Sequence, residues 1–218
     1  MNTHSVRRAN SVRQEVVDLC RDLALRGYFA ATGGNLALRI EADLIAVTPS
    51  ATDYFSMQPE DVAVVRLSDL RQVEGHRPPS VETGLHARLL GLRCDCRCSI
   101  HTHQPVASAC TLLGRPLEVQ DPKYQRMLGS RIPMVGYAPS GTRWLAAKLA
   151  KAVRRDVNAY LMRNHGAVCC GPDADSTVAR VVALEELASE YLRDRIRARA
   201  ADNDSLRPVL QRLLDSFA

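Results

Sequence analysis

The chain has 218 residues, a length that one hydrophobic core can organise. Hydrophobic residues make up 46% and charged residues 24%, as in globular proteins, and no run reaches the roughly 18 apolar residues of a membrane span. The net charge is +5, but the arginines are spread along the chain, so solvated helix faces explain them better than nucleic-acid binding. We expect one domain over residues 1–218, with a core at about 12–192 and a helical tail at about 193–218, and neither nucleic-acid nor membrane binding.

The first predicted elements are a helix and a hairpin. Apolar residues recur with a 3.6-residue period over 11–26, which predicts an amphipathic helix. Two short apolar runs, 36–40 and 44–47, are joined by polar residues and predict a β-hairpin. Small polar loops flank it, TGGN at Thr32–Asn35 and TPS at Thr48–Ser50, and both are suited to holding an anion.

The middle of the chain predicts a strand followed by a capped helix. Residues 62–67 read as a strand, and Pro78 and Pro79 then interrupt regular structure. Ser80 can cap a helix over 81–92. This prediction places Glu82 in the first turn of that helix.

A strand predicted over 94–103 ends in the sequence HTH, and a helix is predicted over 106–113. The later predicted elements are a strand near Met134, a helix over 142–153, strands over 159–162 and 167–170, and a long helix over 176–197. Helices and strands are mixed without regular alternation. We therefore expect an α/β fold, a three-layer αβα sandwich whose central mixed, largely antiparallel sheet is covered by helices on both faces.

The cysteines and the N-terminus bear on the cellular compartment. Seven cysteines, an odd number, make a disulfide framework a poor interpretation. Cys94, Cys96 and Cys98 are two apart, which predicts one face of a strand, whereas structural zinc sites favour CxxC turns. Residues 1–14 lack the apolar stretch of a signal peptide. We expect most of the cysteines to be buried thiols and the protein to be cytoplasmic.

Three histidines form the candidate metal site. His101 and His103 lie two apart on a predicted strand, so both imidazoles face the same side, roughly 7 Å apart at their roots. An HxH pair alone is weak evidence, because two core or surface histidines produce it by chance. His165, in the NHG turn between two predicted strands, supplies a third ligand and leaves an open coordination position.

Two further residues share one helix beside this site. On position alone, Glu82 fits an ordinary acidic residue that stabilises a helix N-terminus. His86 lies four residues later on the same helical face, and we interpret it as a structural or hydrogen-bonding residue rather than a ligand.

Five motifs together resemble one family. They are TGGN (32–35), TPS (48–50), PSVE (79–82), HTH (101–103) and NHG (164–166). Nineteen residues separate Glu82 from His101, and 62 separate His103 from His165. In order and spacing, residues 12–192 resemble the class II aldolase/adducin family, and fuculose-phosphate aldolase-like lyases in particular.

The resemblance implies a Zn²⁺ or other divalent metal bound by His101, His103 and His165, with Glu82 as the catalytic acid/base. Tyr124 is placed like the tyrosine that donates to the aldehyde oxygen in these aldolases. The implied enzyme is a metal-dependent lyase that performs retro-aldol cleavage of a small ketose phosphate, hydroxy-ketone or hydroxyacid through a metal-stabilised enediolate. The resemblance also implies a homotetramer with sites at subunit interfaces.

The family includes other activities, because one scaffold hosts several reactions. Dehydration of methylthioribulose phosphate and decarboxylation of a hydroxyacid are alternatives. A non-catalytic, adducin-like binding module is a further one, although the chain keeps all three histidines.

The expected substrate- and phosphate-binding residues lie in the small polar loops. They are Thr32, Gly34, Asn35, Ser50 and Ser80. Val81 stands where the sugar-phosphate aldolases carry a second serine, and Ala51 where they carry a glycine. A lost hydroxyl and an added methyl both weaken an anion site, so a smaller or non-phosphorylated substrate is an alternative.

Overall fold

The computed structural model describes residues 3–29 and 33–216. Its strands are β1 (Asn35–Glu41), β2 (Leu44–Val47), β3 (Ala63–Arg66), β4 (Gln72–Glu74), β5 (Cys98–Thr102), β6 (Leu117–Glu118), β7 (Arg131–Ile132), β8 (Met134–Val135), β9 (Ala159–Met162) and β10 (Ala167–Gly171). Its helices are α1 (Thr3–Leu25), α2 (Thr83–Leu92), α3 (Pro105–Cys110), α4 (Pro122–Leu128), α5 (Arg143–Ala152), α6 (Ala174–Ala201) and α7 (Arg207–Asp215).

One mixed sheet organises the fold. Its strand order is β4-β3-β2-β1-β5-β10-β9-β8, and β6 and β7 form a separate pair. Every neighbouring pair in the large sheet is antiparallel except β8 and β9, which are parallel. The central strands β1, β5 and β10 are buried, as strands covered on both faces must be.

Side chains alternate between the two faces of this sheet, so each strand contributes to two cores. Leu36 and Leu38 of β1 pack in one core with α1, α3, α4 and α6. Ala37, between them, belongs to the second core, with α2 and α5. The three-layer αβα sandwich, with its largely antiparallel sheet, is confirmed.

Three predicted boundaries were wrong. Helix α1 begins at Thr3 rather than at residue 11. Helix α2 begins at Thr83, because residues 80–83 first form a turn in which the Thr83 amide donates to the Ser80 carbonyl. Strand β5 begins only at Cys98. Glu82 is consequently the N-cap of α2 and not part of its first turn.

The late start of β5 corrects the prediction for the cysteines. Cys94 and Cys96 lie in the turn before the strand, so they do not share a strand face with Cys98. Cys94 is exposed, whereas the other two thiols are buried. All seven cysteines are free.

Strands β4, β6 and β7 and helix α4 were not predicted. The strands have two or three residues, too few to show a period of two. Helix α4 carried a usable signal, because Asp121 caps it and Pro122 takes its first position. No helix in the described part of the chain is long and apolar enough to cross a membrane.

Candidate metal centre and active site

The fold brings the three histidines together at the end of β5. His101 lies in β5, opposite Asn35 of β1 on one side and Val168 of β10 on the other. His103 follows two residues later, so its side chain points to the same face. His165 enters from the turn between β9 and β10, where Asn164 has a φ of 55°, a left-handed conformation that asparagine tolerates.

The ring nitrogens of His101, His103 and His165 converge on one point. One ligand atom from each lies within 4.8 Å of the others, and the Nε2 atoms of His101 and His103 are 2.9 Å apart. His101 is fully buried, and the other two are partly buried. The predicted metal-ligand set therefore forms a compact group that can hold a metal ion.

The orientation of the His101 ring favours a cation next to its Nε2 atom. Its Nδ1 lies 2.8 Å from the carbonyl oxygen of Ala167, which can only accept a hydrogen bond, so the ring proton is on Nδ1. The lone pair on Nε2 then faces the cluster, 3.2 Å from Glu82 Oε2. A lone pair directed at a carboxylate is unfavourable unless a positive charge lies between them. Imidazole nitrogen and carboxylate oxygen are donors that Zn²⁺ prefers.

Glu82 is buried beside the histidines, and both of its oxygens are held. Asn35 Nδ2 donates to Oε2 at 2.9 Å, and Ser140 Oγ donates to Oε1 at 2.8 Å. Oε1 also lies 3.4 Å from Nε2 of His165. The carboxylate is thus fixed at the edge of the histidine cluster, within reach of a substrate bound there.

The charge states follow from this environment. Burial acts to raise the pKa of Glu82, but the charge that His101 carries when it is protonated at low pH, together with the hydrogen bonds that the carboxylate accepts, outweighs burial and lowers the pKa to about 2. Burial lowers the pKa of His101 to about 3 and also lowers that of His103. At neutral pH the site therefore contains an ionised Glu82 and neutral His101 and His103, the forms in which these groups bind metal.

Behind Glu82 lies a chain of buried polar groups. His86 Nε2 is 2.6 Å from Asn35 Oδ1, and His86 Nδ1 is 2.8 Å from Ser99 Oγ. Both side-chain polar atoms of Asn35 are therefore hydrogen-bonded, one to His86 and one to Glu82. The prediction that His86 is a hydrogen-bonding residue rather than a ligand agrees with these contacts.

The expected phosphate loops lie next to each other. Pro49 and Pro79 form an isolated antiparallel bridge, the Ser50 amide donates to Pro78, and the Ser80 amide donates to Thr48. This bridge places the TPS and PSVE motifs side by side. Gly34 has a φ of 95°, and a Cβ there would lie 2.3 Å from the Phe29 ring, so glycine is required. Thr32 lies outside the described residues.

Val81 and Ala51 are the two residues that depart from the aldolase pattern. Val81 is 68% exposed immediately before Glu82. Ala51 has a φ of 47°, in the left-handed region where glycine is unstrained. These residues replace a hydroxyl and a glycine in loops that the fold has brought together.

Tyr124 lies elsewhere in the chain. Its ring belongs to the core on the α1, α3, α4 and α6 face, and its hydroxyl lies 3.2 Å from Glu186 and 3.1 Å from Glu190. The structure therefore does not bring Tyr124 together with Glu82 in one chain. Its catalytic role remains a prediction.

Ser140 is the site residue that sequence reasoning missed. It lies in the loop before α5, 58 residues after Glu82, and the only local signal is Thr142, which caps α5. That cap predicts where the helix begins. It carries no information about which carboxylate the preceding serine contacts.

The fold and this site define a family. The family model for the class II aldolase and adducin N-terminal domain matches residues 14–192 of the chain. The chain belongs to this family.

Curated relatives agree with the assignment. The L-fuculose phosphate aldolase of Methanocaldococcus jannaschii is 30% identical over 81% of this chain and 93% of its own. The 5-methylthioribulose-1-phosphate/5-deoxyribulose-1-phosphate aldolase of Rhodospirillum rubrum is 30% identical over 84% and 81%. The 5-deoxy-D-ribulose 1-phosphate aldolase of Bacillus thuringiensis is 32% identical over 72% of each chain.

Solved structures share the fold. An L-fuculose 1-phosphate aldolase superposes with a TM-score of 0.80 at 30% identity, over 85% of this chain and 86% of its own. The L-fuculose-1-phosphate aldolase of Thermus thermophilus gives a TM-score of 0.71 at 27% identity, over 88% and 97%.

Proposed function

We propose that this protein is a metal-dependent lyase that cleaves a small ketose phosphate by a retro-aldol reaction. The observation that carries the proposal is the convergence of three imidazoles on one point, with the ionised carboxylate of Glu82 held against them. Family membership supports aldol chemistry, because the three relatives described above are all aldolases.

His101, His103 and His165 would hold the metal, and Zn²⁺ suits three nitrogen donors with an open position. A bound divalent cation supplies Lewis acidity, which stabilises negative charge developing on the substrate oxygens. With only three protein ligands, the site would leave room for the hydroxyl and carbonyl oxygens of a ketose.

Glu82 would exchange protons with the substrate. Its pKa of about 2 keeps it ionised at neutral pH, which is the state a base needs. Ser140 and Asn35 hold its two oxygens, so the carboxylate keeps one orientation through the reaction. An adducin-like binding module has no need of such a buried, oriented carboxylate.

The substrate proposal is a ketose 1-phosphate, the class for which the R. rubrum and B. thuringiensis relatives are named. The adjoining TPS and PSVE loops, with Gly34, Ser50 and Ser80, would bind its phosphate. Asn35, predicted for the same pocket, has its side chain bonded to Glu82 and His86 and would not donate to the phosphate. Thr32 is proposed for the same pocket on the motif alone. Val81 supplies no hydroxyl there, so hydroxy-ketones and hydroxyacids without phosphate belong in the same screen.

A homotetramer, with Tyr124 completing the site of another subunit, is also part of the proposal. Tyr124 does not reach Glu82 in its own chain, so a role at the aldehyde oxygen requires a neighbouring copy. Light scattering coupled to size exclusion measures the subunit count. A monomer at micromolar concentration would remove Tyr124 from the mechanism.

The experiment is a cleavage screen of phosphorylated and free C4 to C6 ketoses and hydroxyacids, which measures release of aldehyde. We expect the zinc-loaded wild type to release an aldehyde and dihydroxyacetone phosphate from a ketose 1-phosphate. His103→Ala should lose activity and most of the metal, because two remaining imidazoles seldom hold zinc tightly. His76→Ala, an exposed loop histidine, is the matched control and should behave as wild type. Loss of water from the substrate instead of aldehyde release would indicate a dehydratase of this family. Release of carbon dioxide would indicate a decarboxylase.

A further inference from the structure

His86 is a fully buried histidine outside the metal cluster. It lies on α2, one helical turn after Glu82, and its side chain is 0% exposed. Each ring nitrogen has one hydrogen-bond partner, Ser99 on β5 and Asn35 on β1. Burying an imidazole between two elements of the sheet is costly unless both nitrogens are satisfied, and here both are.

The direction of the hydrogen bonds in this chain follows from the geometry of Asn35. The amide nitrogen of Asn35 donates to Glu82 Oε2 at 2.9 Å. The other Asn35 atom is then the carbonyl oxygen, which only accepts, so His86 Nε2 carries a proton. Burial lowers the pKa of His86 to about 4, so the ring is neutral and Nδ1 accepts from the Ser99 hydroxyl. The order of donation is Ser99 to His86 to Asn35 to Glu82.

This order depends on which end of the Asn35 amide faces Glu82. Asparagine can present either end after a rotation of about 180° around its last torsion, and the two ends are alike in shape. With the amide reversed, an oxygen would face Glu82 Oε2 at 2.9 Å with no proton between them, and a nitrogen would face the protonated His86 Nε2. Both contacts would then be repulsive. The Nε2 proton of His86 and the carboxylate of Glu82 therefore favour the same orientation, in which Asn35 donates to the carboxylate.

We infer that His86 is a positioning residue for the acid/base Glu82, and that it acts through Asn35. His86 locks the Asn35 amide, and the locked amide holds Oε2 so that the carboxylate keeps a fixed position beside the three histidines. Ser140, on the loop before α5, holds the other oxygen from the open side. The inference rests on the proposed function, because it assigns His86 a purpose in the chemistry of Glu82.

A purely structural His86 makes different predictions. As a packing residue, it would affect folding stability alone, and its effect on turnover would not depend on Asn35. As a positioning residue, it affects turnover only while Asn35 is present. Glutamine is the informative replacement, since its amide nitrogen can take the place of Nε2 and donate to Asn35, whereas leucine keeps only the volume.

The test is a double-mutant cycle on kcat with the best substrate of the cleavage screen. We expect His86→Leu to lower kcat about ten- to a hundredfold, the usual effect of misplacing a catalytic group by roughly 1 Å. KM and zinc content should change little, and His86→Gln should recover most of the loss. In an Asn35→Ala background, His86→Leu should cause no further loss of kcat. His76→Leu, the same change in the exposed loop, should have no effect.

A second measurement keeps the inference testable if His86→Leu does not fold. Nitrogen-15 NMR of the wild type reports the imidazole tautomer, with the His86 resonances assigned by their loss in His86→Gln. We expect a proton on Nε2 and an unprotonated Nδ1. A proton on Nδ1, or equal effects of His86→Leu with and without Asn35, would overturn the inference. Wild type without aldolase activity would count against the proposed function instead, and the tautomer would still decide the hydrogen-bond order.

Discussion

Gly166, in the NHG motif, leaves room for the histidines of the proposed metal centre because it has no side chain. A Cβ at this position would lie 2.4 Å from the Thr102 carbonyl oxygen, 2.7 Å from His103 Cδ2 and 3.0 Å from His101 Cε1. Its φ is not in the left-handed region, so the requirement is space and not backbone conformation. Gly166→Ala therefore forces an added methyl against the rings of His101 and His103 and the carbonyl of Thr102.

The size of the effect follows from these distances. Unstrained contacts between heavy atoms lie at roughly 3.5 Å, so the methyl overlaps the Thr102 oxygen by about 1 Å. The strand backbone cannot yield easily, and we expect a destabilisation of about 1 to 3 kcal/mol, as in overpacked cores. His101 and His103 must also move, so zinc affinity should fall about ten- to a hundredfold, as when supporting contacts of metal ligands are lost.

Two assays measure these effects in the same samples. Urea unfolding of the metal-free protein gives the free energy of unfolding, and competition with a chelator gives the zinc dissociation constant. Gly91→Ala is the matched control, because its Cβ meets nothing within 4 Å on α2, and it should raise stability by about 0.5 to 1 kcal/mol. Unchanged stability and zinc affinity in Gly166→Ala would show that the rings at this turn are not placed as described.

Three further predictions concern the site. Glu82→Gln should keep its zinc and lose about two to four orders of magnitude in kcat, the usual worth of acid/base catalysis; equal turnover would remove Glu82 from the mechanism. The pKa of His86 is about 4 in the folded protein and about 6.5 in the unfolded chain, so protonation below pH 6.5 favours the unfolded state. The contribution of neutral His86 to folding stability is therefore complete above pH 6.5 and is lost as the pH falls. From pH 7 to pH 5, wild type should therefore lose about 2 kcal/mol more unfolding free energy than His86→Gln, and parallel urea-unfolding curves for the two proteins would disprove this. Phosphoglycolohydroxamate is an enediolate mimic that carries a phosphate. Val81→Ser should tighten its binding about tenfold or more in calorimetry, since one hydrogen bond to a charged group is worth roughly 1.5 to 3 kcal/mol. Tight binding by wild type with no gain in the variant would mean that the phosphate pocket is complete despite Val81.

Much of the fold was predictable, because apolar residues recur with a regular period in long helices and strands. The β1–β2 hairpin, α5, β9 and β10 lie close to their predicted bounds. The errors occurred where local contacts override the period, as at Ser80, where a turn delays α2 until Thr83. Two-residue strands such as β6 exist only through their pairing with β7, which no local pattern encodes.

The grouping of the three histidines was predictable from the sequence, and the contacts around them were less so. His101 and His103 were identified from a spacing of two on a strand, and the structure brings His165 to them. Asn35 was predicted to bind phosphate, but its side chain is bonded to Glu82 and His86, a contact that depends on how α2 packs on β1. Ser140 meets Glu82 across 58 residues of chain, which sequence spacing alone does not reveal.

The most direct test of the proposed metal site is a titration of metal-free protein with Zn²⁺, in which cleavage of a ketose 1-phosphate is measured at each addition. We expect no aldehyde release without metal, a linear rise to one equivalent per chain and then a plateau. His103→Ala should show no break at one equivalent. Full activity in the metal-free wild type, or a rise that is the same in His103→Ala, would contradict the assignment of the three histidines.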